Sequence, residues 1–108
     1  MTSVISRIWH GWTTPANADK YEALLRSEIF EGIQSRKIAG FLGIDLLRRA
    51  HAEEVEFITI MWFESLEAVR TFAGADYEVA VVPTAARALL SHFDARSAHY
   101  EVRERRSR

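Results

Sequence analysis

The chain is 108 residues long, 48% hydrophobic and almost neutral, with a formal charge of −1. That length makes one domain, and the balanced charge offers no general attraction to nucleic acid or to an anionic membrane. Cysteine is absent, which excludes disulfides, thiolate catalysis and Cys-ligated metals.

Residues 4–12 mix β-branched and aromatic side chains with polar ones and predict a strand. Ile8, His10 and Trp12 share one of its faces, and Arg7, Trp9 and Gly11 the other. Thr13-Thr14-Pro15 ends the strand, since Pro is tolerated where a helix begins. A helix is expected over residues 16–35, with Tyr21, Leu24, Leu25, Ile29 and Ile33 as its apolar stripe. Gly40 marks the turn into a second strand, residues 41–49, in which Gly43 suggests a bulge.

His51-Ala52-Glu53-Glu54 reads as a polar hairpin connection to a third strand, residues 55–63. That strand carries Phe57, Met61 and Phe63 on one face and Ile58, Ile60 and Trp62 on the other, the pattern of a strand buried on both sides. Helices are expected over one face and a second copy of the chain over the other. Ser65 is placed to cap the next helix and Gly74 to stop it. Residues 76–82 predict a short irregular helix, residues 83–91 another, and residues 99–102 a last strand. The single domain is expected to cover residues 1–102, with 103–108 as a charged tail.

The order β-α-β-β-α-(α)-β is the ferredoxin-like split one, an α+β fold with a four-stranded antiparallel sheet and helices on one face. Met1 to Trp9 lacks a basic region followed by an apolar run, and no stretch approaches ~18 uninterrupted apolar residues. A cytoplasmic, soluble protein is expected, with no membrane partner and no nucleic-acid partner. The arginine-rich tail lacks the interleaved aromatics of a nucleic-acid site.

The run Thr59-Ile60-Met61-Trp62-Phe63-Glu64-Ser65-Leu66, then residues 76–94 and His99-Tyr100-Glu101-Val102, resembles the antibiotic-biosynthesis monooxygenase group. The resemblance spans residues 5–102 and is carried chiefly by Trp62, Ser65, Glu67 and Phe72. It implies a homodimeric α+β barrel with two facing sheets and a pocket in each subunit between sheet and helices. Some members oxygenate aromatic polyketides with no metal or flavin, and others degrade haem. The haem-degrading branch uses an Asn on the first strand, a Trp on the helix after the third, and a His on the following helix. Residues 3–14 hold no Asn, residues 65–73 no Trp and residues 76–90 no His, so haem degradation is disfavoured. His92, just past that helix, is the one residue a shifted alignment could reach.

Cofactor-independent oxygenation needs a base and a water-excluding pocket. His10 is the candidate catalytic base if its face turns to the helices; otherwise it is a hydrogen-bonded structural or interface residue. Trp12, Trp62, Phe72 and Tyr77 are candidates to contact a flat small-molecule substrate, and Arg87 to hold an anionic group on it. Packing alone also accounts for Trp62, and solvation for Tyr77 and Arg87. Tyr21 fits the core. His10, His51, His92 and His99 show no metal-ligand spacing, and no metal site is expected. The expected activity is that of a cofactor-independent monooxygenase on a small aromatic molecule. The alternative is a non-catalytic dimeric binding protein of the same fold.

Overall fold

The computed structural model describes residues 3–108; Met1 and Thr2, part of the stretch read as lacking a secretory signal, lie outside the described residues. Its sheet begins with β1 (Ile5–Thr13), where odd-numbered side chains turn inward and even-numbered ones outward. Thr14 caps α1 (Pro15–Leu24) by accepting a hydrogen bond from the Asn17 amide at 3.2 Å, with Pro15 opening the helix. The chain then runs through a π-helical turn, Leu25–Ile29, into α2 (Phe30–Ser35). β2 (Phe41–Ala50) and β3 (Val55–Phe63) form a hairpin closed by the His51 amide on the Glu54 carbonyl at 2.8 Å. After α3 (Leu66–Ala73) come a single-turn α4 (Thr84–Arg87), a two-residue β4 (His92–Phe93) and β5 (Ala98–Glu101).

The strands pair antiparallel in the order β2-β3-β1-β4, and β5 joins the same edge of β1 as β4. This is the expected α+β arrangement with four strand positions, the last of them divided in two. Gly43 does mark a bulge: the register slips between Phe41 and Gly43, and Leu42 is left exposed.

The π turn departs from the unbroken α-helix expected over residues 16–35, and it matters for packing. At about 100° per residue, a regular helix would set Tyr21 and Ile33 roughly 120° apart. Absorbing one residue in the wider turn brings them to about 20°, onto one face. Ser27, in the middle of this turn, donates its hydroxyl hydrogen to the Ala23 carbonyl at 2.7 Å.

The second half of the chain is less helical than its composition suggests. Residues 76–82 form no helix, because their backbone groups pair with residues 95–97 instead. Ala80 donates to the Ala95 carbonyl at 2.9 Å, Ser97 donates to Glu78 at 2.7 Å, and Val79 bridges Arg96. Three valines in this run suit an extended path better than a helix. The helix expected over 83–91 stops after one turn, since the Ser91 amide is captured by the Trp12 carbonyl at 2.7 Å.

Two apolar clusters fill the space between the inner sheet face and the helices. Tyr21, Leu25, Phe57 and Ala86 anchor one, and Met61, Phe63, Ala68 and Val69 the other. β3 is therefore buried by its own chain on the odd face only. Its even face, with Ile58, Ile60 and Trp62, meets Ile8 and His10 of β1 and Leu47 of β2 across an outer surface. No helix of the described residues is long and apolar enough to cross a membrane.

Gly40 joins the layers. Its φ is +86°, and a Cβ there would come within 2.7 Å of the Ala68 Cβ on α3. Gly40→Ala is expected to cost about 1–3 kcal/mol, from left-handed strain and the clash together. Urea unfolding of the variant, with an unchanged midpoint as the contrary result, checks this.

Candidate functional site

Because odd residues of β1 and β3 face the helices, the residues available to a site between sheet and helices are fixed by parity. Arg7 and Trp9 come from β1, Thr59 and Met61 from β3, and Ile44 from β2. Across from them stand Tyr21, Leu25, Ile29, Phe30 and Ile33 of the first helical segment, brought to one side by the π turn. Val81, Val82 and Pro83 form a roof, Phe72 closes one end, and Ser97 adds a hydroxyl. Together they line a cavity of about 60 Å³.

Arg7 is the unusual member. It is only 4% exposed, and no carboxylate among the described residues pairs with it. Nη1 donates to the Tyr77 carbonyl and, at 2.9 Å, to Nε2 of His99; Nη2 donates to the Val79 carbonyl at 3.3 Å. The Phe72 ring lies 5.5 Å from the guanidinium carbon. Burial lowers the Arg7 pKa to about 10, which still leaves it cationic at neutral pH. His99, accepting at Nε2, carries its proton on Nδ1, and that buried nitrogen has no partner among the described residues. Burial, then the charge of Arg7, lowers the His99 pKa. Burial also pushes the Tyr21 phenol upward, so it stays protonated.

The residues singled out from sequence divide between the two faces. His10 turns outward, away from the cavity; its Nδ1 and its backbone amide both meet Asp94 Oδ2, at 3.0 and 3.2 Å. As a base for this cavity it is misplaced, because its even position on β1 faces away from the helices. Trp12 is outward too, stacked 4.4 Å from His92 and 6.0 Å from His10. Trp62 lies outward beneath the guanidinium of Arg105, so the tail at 103–108 lies against the sheet at that point. Phe72 does line the cavity. Tyr77 stands next to it, with its carbonyl on Arg7 and its ring 5.0 Å from His99, but does not line the wall. Arg87 covers the Phe93 ring instead of facing the cavity. Tyr21 is core, as expected, and cavity wall as well.

Arg7, Trp9, Thr59 and Ser97 were not identified from sequence. Arg7 and Trp9 stand on the β1 face opposite His10, and an arginine two residues from an aromatic on one strand face was the available signal. Among the described residues no group of three His, Asp or Glu side chains is placed to hold a metal ion.

Solved structures carry the same architecture. A protein from Bacillus cereus named as an antibiotic biosynthesis monooxygenase aligns over 98% of this chain and 99% of its own, with a TM-score of 0.69 and 16% identity. The fold is that of the antibiotic-biosynthesis monooxygenases. A monooxygenase from Streptomyces coelicolor in complex with nanaomycin D aligns over 99% of this chain and 93% of its own, with a TM-score of 0.60 and 19% identity. A haem-degrading protein from Mycobacterium tuberculosis also shares the monooxygenase fold, over 99% of both chains, with a TM-score of 0.58 and 20% identity. No family model and no curated protein matches the sequence. Haem suits these residues poorly: no histidine lines the cavity among the described residues, and about 60 Å³ is far below a macrocycle's needs.

His99 links this site to stability. Its folded pKa is depressed, so the unfolded chain takes up the proton first. Its contribution is present above the ordinary imidazole value of 6.5 and is lost as the pH falls below it. Urea unfolding at about pH 7.5 and about pH 5.5 is expected to show a smaller pH effect in His99→Gln than in the parent. Equal pH dependence in both would contradict the assignment.

Proposed function

We propose that the protein is a homodimeric, cofactor-independent monooxygenase-like enzyme that oxidises a small, mostly apolar aromatic molecule in the cavity between sheet and helices. The observation that carries this is the aromatic and apolar lining of the cavity, with Trp9, Tyr21, Phe30 and Phe72 in its wall, in a monooxygenase fold. Aromatic walls bind a flat ring by stacking and edge contacts. Excluding water protects an electron-rich intermediate from side reactions. In such a reaction a methylene between aromatic rings becomes a carbonyl. One oxygen atom of O2 enters the product, the other leaves as water, and the substrate supplies all the electrons.

The assay is oxygen consumption with metal-free protein and a panel of anthrones and hydroquinones. Enzyme-dependent uptake is expected, falling at least about ten-fold in Phe72→Ala and persisting in His10→Ala, whose side chain faces away from the cavity. No uptake with any member of the panel would remove the main support for catalysis.

A specific observation favours a second role, non-catalytic binding. The cavity, at about 60 Å³, is much smaller than the ~300 Å³ or more of ordinary ligand pockets. No histidine or carboxylate lines it among the described residues. Saturable ligand binding without turnover would select this role.

Homodimerisation through the outer sheet face is supported by surface accounting. The chain exposes 7077 Å², against roughly 6,100 Å² for a compact monomer of 12.4 kDa. Leu47 is 42% exposed, in line with Ile58, Ile60 and Ile8 on the same face. Burying such a strip against a second copy removes apolar area from water. Light scattering at micromolar concentration is expected to report a dimer for the parent and a monomer for Ile60→Glu. A stable, folded monomeric parent would overturn the proposal.

A further inference from the structure

A cation buried without a counter-ion is costly unless something answers its charge. Carbonyl dipoles and a neutral imidazole stabilise Arg7, but none of them carries a negative charge. A guanidinium has five N–H groups. Three are spent on Tyr77, His99 and Val79. The Nε–H and one Nη2–H have no partner among the described residues, and Nε and Nη2 are the two nitrogens of one edge of the guanidinium, the kind of edge that meets a carboxylate with paired hydrogen bonds. Arg7 is 96% buried by its 4% exposure and stands in the cavity wall beside apolar residues. Among the described residues the cavity wall also has no histidine or carboxylate: Tyr21, its phenol shifted up by burial, is the wall's titratable oxygen, and it stays protonated.

We infer that Arg7 is the counter-ion for the carboxylate of a bound small aromatic acid, so that the ligand of this cavity enters as an anion. The carboxylate meets Nε and Nη2 of Arg7, and the ring lies against Trp9 and Phe72 at the open side of the cavity, since about 60 Å³ is too little to enclose it whole. The ring enters on the side of Val81, which is 51% exposed and makes the roof thin. A charged ligand answers the unpaired cation, and no base is required of the protein to make it charged. The inference rests on this cavity being the ligand site, as proposed above, and not on any oxygen chemistry.

The test uses full-length, ¹⁵N-labelled protein with benzoate, its neutral analogue benzamide, and 4-nitrophenolate as probes. Benzoate is expected to shift the Arg7 Nε–H resonance and to bind on the order of ten-fold or more tightly than benzamide. Arg7→Gln is expected to abolish that preference. If the variant does not fold, the resonance shift and the affinity ratio of the parent decide alone. Equal affinity for benzoate and benzamide, no binding by either, or an unmoved Arg7 resonance would each overturn the inference. Tighter binding of 4-nitrophenolate than of benzoate would overturn the carboxylate in favour of a phenolate. Oxygen uptake with no anion preference removes this inference alone. Anion preference without uptake removes the monooxygenase proposal alone.

Discussion

A guanidinium that leaves water must find its solvation in the protein, and Arg7 finds it in backbone carbonyls. Those carbonyls belong to Tyr77 and Val79, in a segment that could otherwise have spent them inside a helix. By taking them, Arg7 helps hold residues 76–82 in an extended path, which in turn lays Ala80 and Glu78 against residues 95–97. The same side chain reaches His99 and so ties β5 to β1 beyond their ladder. The roof of the cavity, the break in the fourth strand position and the polar end of the wall are thus parts of one hydrogen-bonded arrangement.

Parity on β1 separates the two roles of the sheet. Odd positions build the cavity, and even positions build the outer face. On that outer face, His10 serves as a clasp. Asp94 accepts from its amide and meets its ring, while the Asp94 amide returns a bond to the His10 carbonyl at 2.9 Å. The Trp9 indole adds a bond to the Asp94 carbonyl at 2.7 Å. The loop between β4 and β5 is therefore pinned to both faces of β1 at adjacent residues.

Much of the fold was legible in the sequence because it depends on local chemistry. A mix of β-branched and aromatic residues revealed β1, the apolar residues on both faces revealed β3, and Gly43 marked a bulge, Ser65 a cap and Gly74 a stop, with φ of +95°. What was not legible depends on distant partners. Nothing local to residues 76–82 announces that their carbonyls go to Arg7, and nothing local to Ser91 announces Trp12. The site suffered from the same limit. His10 drew attention as the obvious titratable group, yet which strand face meets the helices is decided by register across β3. Phe72 was recognisable from its helix; Arg7 needed the whole sheet.

The π turn at Leu25–Ile29 carries a consequence for chain length. The segment contains one residue more than a regular helix would need to join the faces at Tyr21 and Ile33. Loss of a single residue there would leave a straight α-helix with both flanks still in phase, whereas the same loss in α1 or α2 would twist one flank away from the sheet. Related chains can therefore differ by one residue at this place without refolding. Such a difference would change the shape of the cavity wall and leave the architecture alone, making this turn a natural point for one scaffold to diverge in what it holds.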